Sequence, residues 1–386
     1  VRAHRPAGER RLVRVIGAVV FVDTMFYAAI APLLPTLVHS LHLSKLSAGV
    51  MTAAYPAGTL AASLPGGVLA VRFGPRRTVY VGLGLLAVST LGFGFLSQTA
   101  ALDAARLAQG VGSACSWAGG LAWIVAEAPP ERRGALIGGA LGAAIGGALL
   151  GPVLGALANA VGRGPAFSAV VVLSVGLILA ARSLPSTHVP SRRGVGQIRG
   201  GLGDRRLIAA MWLVTLPAIA SGALNVLGPL RLHRLGAGAA AIGATYLIAA
   251  GLEAVVSPMI GRYSDRHGRM VPMRGGLAAS VVLLAGFTLP DSPLTLAALL
   301  VATAATLGAF WAPAMAMLSE AAEARRIDQG MAAGLMNLAW ALGVIIGAGG
   351  GGALAKRGGD GPPMLLAAGL CAATLAAVAH SRSARR

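Results

Sequence analysis

Three ionisable side chains stand inside long apolar runs. Asp23 lies in VVFVDTMFYAAIAPLLPTL, Arg106 in LDAARLAQGVGSA and Glu253 in TYLIAAGLEAVVSPMIG. Charges at such places are costly, and in a membrane segment they mark proton or ion pathways by default. Burial without a counter-ion disfavours the charged form of a carboxylate, which suits Asp23 to taking up and releasing a proton. Tyr27 follows Asp23 by one helical turn and shares its face. Pro32 and Pro35 then break the outer half of the run. Each charge also has a plainer reading. Asp23 could be a polar site hydrogen-bonded within the bundle, Arg106 could be satisfied by backbone carbonyls, and Glu253 could tie two halves together. An Asp23–Arg106 ion pair is opposed by depth. Arg106 lies about four residues from the outer end of its helix and Asp23 about thirteen, an offset of about 13 Å unless tilt or unwinding closes it.

The elements that must hold these residues follow from composition. The chain has 386 residues, 56% of them hydrophobic and 12% charged, with a mean hydropathy of +0.74. Soluble domains carry about 25% charged residues, and a bilayer crossing takes about 20 apolar ones. The pattern predicts twelve membrane helices near 12–38, 45–71, 77–97, 101–127, 134–161, 164–184, 207–232, 239–261, 270–290, 294–321, 329–355 and 362–380. The first, behind a basic stretch, is too long for a signal sequence and is expected to be retained.

With both termini cytoplasmic, 25 of the 32 Lys and Arg fall on the inner side and 6 on the outer. That is the asymmetry of a multi-pass protein of the cytoplasmic (inner) cell membrane. It accounts for the net charge of +19 without nucleic acid. Cys115 and Cys371 lie in apolar runs and are expected to pack as small hydrophobes. All seven histidines fall in loops, tails or helix ends, and no G-x-x-x-x-G-K-[ST] run is present. These features argue against a metal centre, a buried histidine relay and an ATP-driven pump. No nucleophile–base or paired-carboxylate spacing suggests an enzyme.

The basic stretch 185–206 divides two sets of six spans, 1–184 and 207–386. GVLAVRFGPRR at 67–77 and GRYSDRHGRM at 261–270 begin 194 residues apart, at the inner end of the second helix of each half. With these segments the chain resembles the major facilitator superfamily, over essentially its whole length. The resemblance implies an all-α integral membrane fold of two pseudo-symmetric six-helix halves. Its loop signature G-x-x-x-D-R-x-G-R-[RK] is met by Gly261, Asp265, Arg266, Gly268 and Arg269, with Glu320 as the implied partner. The first half keeps Gly67, Arg72, Gly74 and Arg76 but has Val71 at the acidic position, so its latch is expected to be weaker or to lean on Glu127. Arg106, Gln109, Gly110 and Gly112 resemble the family's R-x-x-Q-G-x-G motif, implicated in proton coupling. Gly147, Gly151, Pro152 and Gly155 resemble G-x-x-x-G-P-x-x-G, which marks antiporters, although generic small-residue packing gives the same pattern. The Asp23 run resembles twelve-span drug:proton antiporters.

The expectation is therefore a monomeric proton-coupled antiporter exporting a hydrophobic or cationic small molecule, with roles in efflux and multidrug resistance. Protons and substrate move through Asp23, Arg106 and Glu253, and no cofactor is needed beyond the proton gradient. Tyr27, Gln109, Asn225, Trp311, Asn337 and Trp340 are candidates to line the cavity. Two alternatives stay open: an uptake carrier of the same fold for a sugar or organic ion, and a transport-dead sensor or scaffold, which Val71 favours.

Overall fold

The computed structural model describes residues 6–127, 133–185, 204–325 and 329–383, and among these every long element is a helix. In order, the spans are Pro6–Ala28 with Ile30–Ser40, Lys45–Phe73, Pro75–Phe95, Thr99–Glu127, Arg133–Val161 and Arg163–Arg182. The next four are Arg205–Arg234, Ala239–His267, Met270–Ala285 with the 3-10 turn Gly286–Thr288, and Pro293–Ala324. The eleventh is Gln329–Ile345 continued through a π turn, Ile346–Gly350, into Gly351–Gly358, and the twelfth is Gly361–Ser383. Residues 186–203, most of the expected basic linker, lie outside the described residues.

Eleven of these spans are long and apolar enough to cross a membrane on composition alone. The fourth is not, because it carries Asp103, Arg106, Gln109, Ser113 and Ser116. It is an interior helix: four of those five side chains are buried, as are Leu102, Trp123 and Ile124. A helix that meets protein on most sides needs less apolar surface than one that meets lipid. The protein is thus an all-α, multi-pass integral membrane protein.

Breaks in the helices have local causes. The first span is interrupted at Ala29, one turn before Pro32. A proline lacks the N–H for the i−4 bond and its ring crowds the i−4 carbonyl, here that of Ala28. The π turn in the eleventh span falls in the glycine-rich run IGAGG, where three glycines leave few side chains to resist rewinding. Gly74 and Gly268 hold φ of 93° and 85° after the second and eighth spans. Only glycine turns there without strain.

The chain forms two compact units, Val1–Ile30 with Ala54–Gly196 and Ala31–Ala53 with Gln197–Arg386. In the first, span 1 packs on span 5, and span 3 packs on spans 4 and 6. In the second, span 7 packs on span 11, and span 9 packs on spans 10 and 12. The two patterns are the same, six spans apart. Lipid removes the hydrophobic drive between helices, so close backbone approach has to supply the contact. Both main seams do this alike. Thr24 Oγ1 donates across to Ala144 O at 2.9 Å, and Cβ atoms on Gly147 and Gly151 would overlap Phe21 O, Thr24 Oγ1 and Ala28 Cβ. Thr215 Oγ1 donates to Ala339 O at 3.1 Å, and Cβ atoms on Gly343 and Gly347 would overlap Thr215 O and Ile219 O. The first unit adds an edge-on aromatic trio, Phe26, Phe93 and Phe167, with centroids 4.9–6.1 Å apart. In the second unit, Asp360 accepts from Lys45 Nζ at 2.7 Å and pairs with Arg234.

Asp204 caps the seventh span, accepting from the Arg206 N–H at 2.8 Å, and pairs with Arg325 Nε at 2.6 Å. The backbone N–H, then Arg325, hold its carboxyl below the usual carboxylate range. A depressed pKa stabilises the folded state above the unfolded value, and the contribution is lost as pH falls through the folded one. Asp204→Ala is therefore expected to lower the melting temperature of detergent-purified protein at pH 7. That gap should close below about pH 4, where carboxylates protonate. A gap that persists unchanged at acid pH would refute the charge-based account.

Candidate functional site

Asp23 is fully buried and accepts three hydrogen bonds from two other helices. Tyr55 Oη, from span 2, donates to Oδ1 at 2.9 Å. Ser113 Oγ and Trp117 Nε1, from span 4, donate to Oδ2 at 2.7 and 3.0 Å. The Tyr55 ring in turn lies 4.9 Å from that of Tyr27 and 5.1 Å from the Arg106 guanidinium carbon. Arg106 is buried, donates through Nη1 to Gln109 Oε1 at 3.2 Å, and also faces the Phe93 ring at 6.0 Å. No ion pair joins Asp23 to Arg106 among the described residues; Tyr55 stands between them, touching both. Tyr27 and Trp117 are the half-buried members of the cluster.

Local sequence explains why these groups meet. Arg106, Gln109, Ser113 and Trp117 recur at three- and four-residue steps, so they form one polar stripe on span 4. Ser113 lies seven residues, about 10 Å, deeper than Arg106, which is close to the depth of Asp23. Span 2 meets span 4 through Gly58 and Gly110, where Cβ atoms would overlap Leu107 O and Tyr55 O. Thr59 Oγ1 adds a bond to Gly110 O at 3.3 Å. This seam sets the height of Tyr55. Reading single charges had missed Tyr55, Ser113 and Trp117; the polar stripe on span 4 was the signal that could have found the last two.

The other candidates lie apart from this cluster. Glu253 belongs to the second unit, where it is exposed on span 8 and its Cγ would sit 3.0 Å from a Cβ at Gly308. Asn225 and Asn337 are half-buried, and Trp311 and Trp340 pack on the apolar core of the second unit. At the loop signatures, Arg269 pairs with Glu320. Arg76 Nη1 donates to Leu184 O at 3.4 Å, and Arg72 and Arg266 are exposed. The Asp265 side chain lies outside the described residues, and Glu127 ends span 4 half-buried. Gly67 and Gly261 have nothing within 4 Å of a would-be Cβ, so close packing does not account for them. Pro152 and Gly155 are buried in span 5.

A profile of the Major Facilitator Superfamily matches residues 16–287 and 207–385. The chain belongs to the Major Facilitator Superfamily. The superfamily fold recurs in two solved structures. A crystal structure of a mutant of the nucleoside transporter NupG superposes with a TM-score of 0.75 at 16% identity, covering 96% of this chain and 99% of that one. A D-xylose–proton symporter superposes with a TM-score of 0.74 at 17% identity, covering 96% of each. In sequence, an uncharacterised MFS-type transporter of Mycobacterium tuberculosis, Rv1250, is 29% identical over 174 residues. Those residues are 44% of this chain and 30% of that protein, so the chain spans about a third of its length. The match places the chain in a superfamily of lipid-embedded transporters, in keeping with its long apolar helices. Among the described residues no group of three or more His, Cys, Asp or Glu could hold a metal ion.

The expectation of an antiporter, of efflux and of multidrug resistance is corrected by these matches. Two superfamily structures that it superposes on are a nucleoside transporter and a proton symporter. The physical reason lies in span 5. Its glycines form the seam with span 1, and the glycines of span 11 form the same seam with span 7. A feature repeated in both halves is helix packing, and it does not encode direction.

Proposed function

We propose that the protein is a proton-coupled uptake carrier for a polar metabolite, a sugar or an organic ion, working by alternating access. One observation carries the proton coupling: the buried carboxylate of span 1 is held by three neutral donors and, among the described residues, by no ion pair. The uptake direction follows the likeness to a nucleoside transporter and a proton symporter. Such a carboxylate can gain a proton without breaking an ion pair. The donor set also selects the atom. Trp117 Nε1 can only donate, whereas a tyrosine hydroxyl can donate or accept. Oδ2 therefore stays an acceptor, and the proton resides on Oδ1, where Tyr55 Oη turns to receive it. Three of the roughly four lone-pair sites of the carboxylate are engaged, which leaves Asp23 little capacity to attract a cationic substrate.

Around this centre, residues 1–184 and 207–386 act as the two rocking halves, with 185–206 as their cytoplasmic linker and both termini inside. The protein acts as a monomer. The Arg269–Glu320 pair supports a latch at the inner end of the second half, while Val71 leaves the first half without that acid. Glu253 is a second, weaker candidate for the proton path.

Reconstituted vesicles test the direction. With an acidic exterior, labelled pentoses, nucleosides and organic acids are offered in turn, and internal pH is followed with a dye. The expected result is uptake of one solute class together with proton entry, abolished by a protonophore. Solute-evoked proton exit against solute loss would overturn the reading.

A further inference from the structure

The donors and acceptors around Asp23 and Arg106 do not balance. Both oxygens of Asp23 are in use, while Arg106 is poorly served. Of its guanidinium nitrogens, only Nη1 has an acceptor, Gln109 Oε1. Arg106 Nε and Nη2 and Gln109 Nε2 are buried and face no acceptor among the described residues. The Tyr55 and Phe93 rings offer the cation their faces but no lone pair in the guanidinium plane. Unmet buried donors are uncommon in native proteins and call for an explanation.

The pattern of the unmet donors is informative. Nε–H and Nη2–H point the same way and form the side-on edge of the guanidinium, the edge that matches the two oxygens of a carboxylate. Gln109 occupies Nη1 and leaves that edge without an acceptor among the described residues. Its own amide nitrogen adds a further donor. We propose that the Nε–Nη2 edge of Arg106, with Gln109 Nε2, is the docking point for an anionic oxygen group of the carried solute, so that the substrate is a small organic anion. This rests on the uptake reading above and narrows it from polar metabolites to acids.

Charge balance agrees. Arg106 and Asp23 by themselves contribute one guanidinium and one carboxylate. With a solute carboxylate on Arg106 and a proton on Asp23, the net charge is unchanged. A monocarboxylate and a proton therefore enter together without moving net charge. Tyr27 and Trp117, the half-buried members, offer ring surface for the rest of the solute.

The test uses purified, lipid-reconstituted protein and paired probes: sugar acids, aliphatic acids and aromatic acids, each beside its uncharged alcohol or amide. Melting temperature reports binding, and vesicle pH reports coupled entry. The expected result is that at least one acid raises the melting temperature and drives proton entry while its neutral partner does neither. Arg106→Lys keeps the charge but loses the fork, and should weaken that acid about tenfold or more, about 1.4 kcal/mol. If Arg106→Lys does not fold, Gln109→Glu decides, because its carboxylate competes with the solute for the guanidinium and should weaken acids selectively. Equal response to the neutral partners, or unchanged acid affinity in both variants, would overturn the inference. Proton entry driven by neutral probes alone would overturn it and leave the uptake reading standing. No proton entry with any probe would overturn both.

Discussion

Asp23→Asn is expected to abolish coupling without unfolding the protein. The amide has the size of the carboxylate and keeps one acceptor. With its oxygen toward Ser113 and Trp117, which lie 2.7 and 3.0 Å from Oδ2, both donors remain satisfied. Its NH2 then faces Tyr55 Oη, and a hydroxyl can turn to accept. The melting temperature should therefore stay near that of the parent. Solute-driven proton entry should fall about tenfold or more, because no titrating group remains at this position. Solute exchange down its own gradient should persist. Asp23→Leu makes the contrast. It leaves the Ser113 hydroxyl and the Trp117 N–H without their acceptor, at about 1–3 kcal/mol for each buried group left unpaired, so it should lower stability as well. The measurement is vesicle proton entry beside counterflow exchange for the three proteins. Undiminished proton entry in Asp23→Asn would move the coupling role away from span 1, with Glu253→Gln the next variant to make.

Much of this arrangement was legible before any coordinates. Apolar run lengths place twelve spans to within a few residues, because the bilayer imposes a length that composition cannot hide. Asp23 and Arg106 stand out as charges where charges are costly. The depth argument against a direct Asp23–Arg106 pair agrees with the structure, and carried one step further it points to what fills the gap. Nine residues below Arg106 on span 4 falls between Ser113 and Trp117, the two groups that reach Asp23. What stayed hidden is Tyr55. Nothing in the run MTAAYPAG reveals that a tyrosine of span 2 stands between spans 1 and 4, since that follows from the angle at which helices cross. The span 5 glycines misled for the opposite reason. A stripe of small residues reads alike whether it packs a helix or marks a mechanism, and only its recurrence in span 11 separates the two.

The crossing angle itself can be tested at Gly110, where the second large effect is expected. A Cβ on Gly110 would overlap Tyr55 O and stand 2.8 Å from Thr59 N, and across the same seam a Cβ on Gly58 would overlap Leu107 O. These obstacles are backbone atoms, which cannot rotate away as a side chain would. Gly110→Ala therefore forces span 2 away from span 4, and overpacking of this kind costs about 1–3 kcal/mol. That corresponds to a fall of several degrees, at about 2–4 °C per kcal/mol for a domain the size of one six-helix half. Transport should fall further than stability, because the displaced carbonyl belongs to Tyr55, whose hydroxyl bonds Asp23 and whose ring covers Arg106. Gly142 and Gly84 supply the control, since nothing stands within 4 Å of a Cβ at either. Glycine inside a helix is worse than alanine by about 0.5–1 kcal/mol, so Gly142→Ala and Gly84→Ala should leave the melting temperature unchanged or raise it. The same substitution is thus expected to have opposite signs at positions that composition cannot distinguish. Equal effects at Gly110 and Gly142 would mean that the seam between spans 2 and 4 does not set the position of Tyr55.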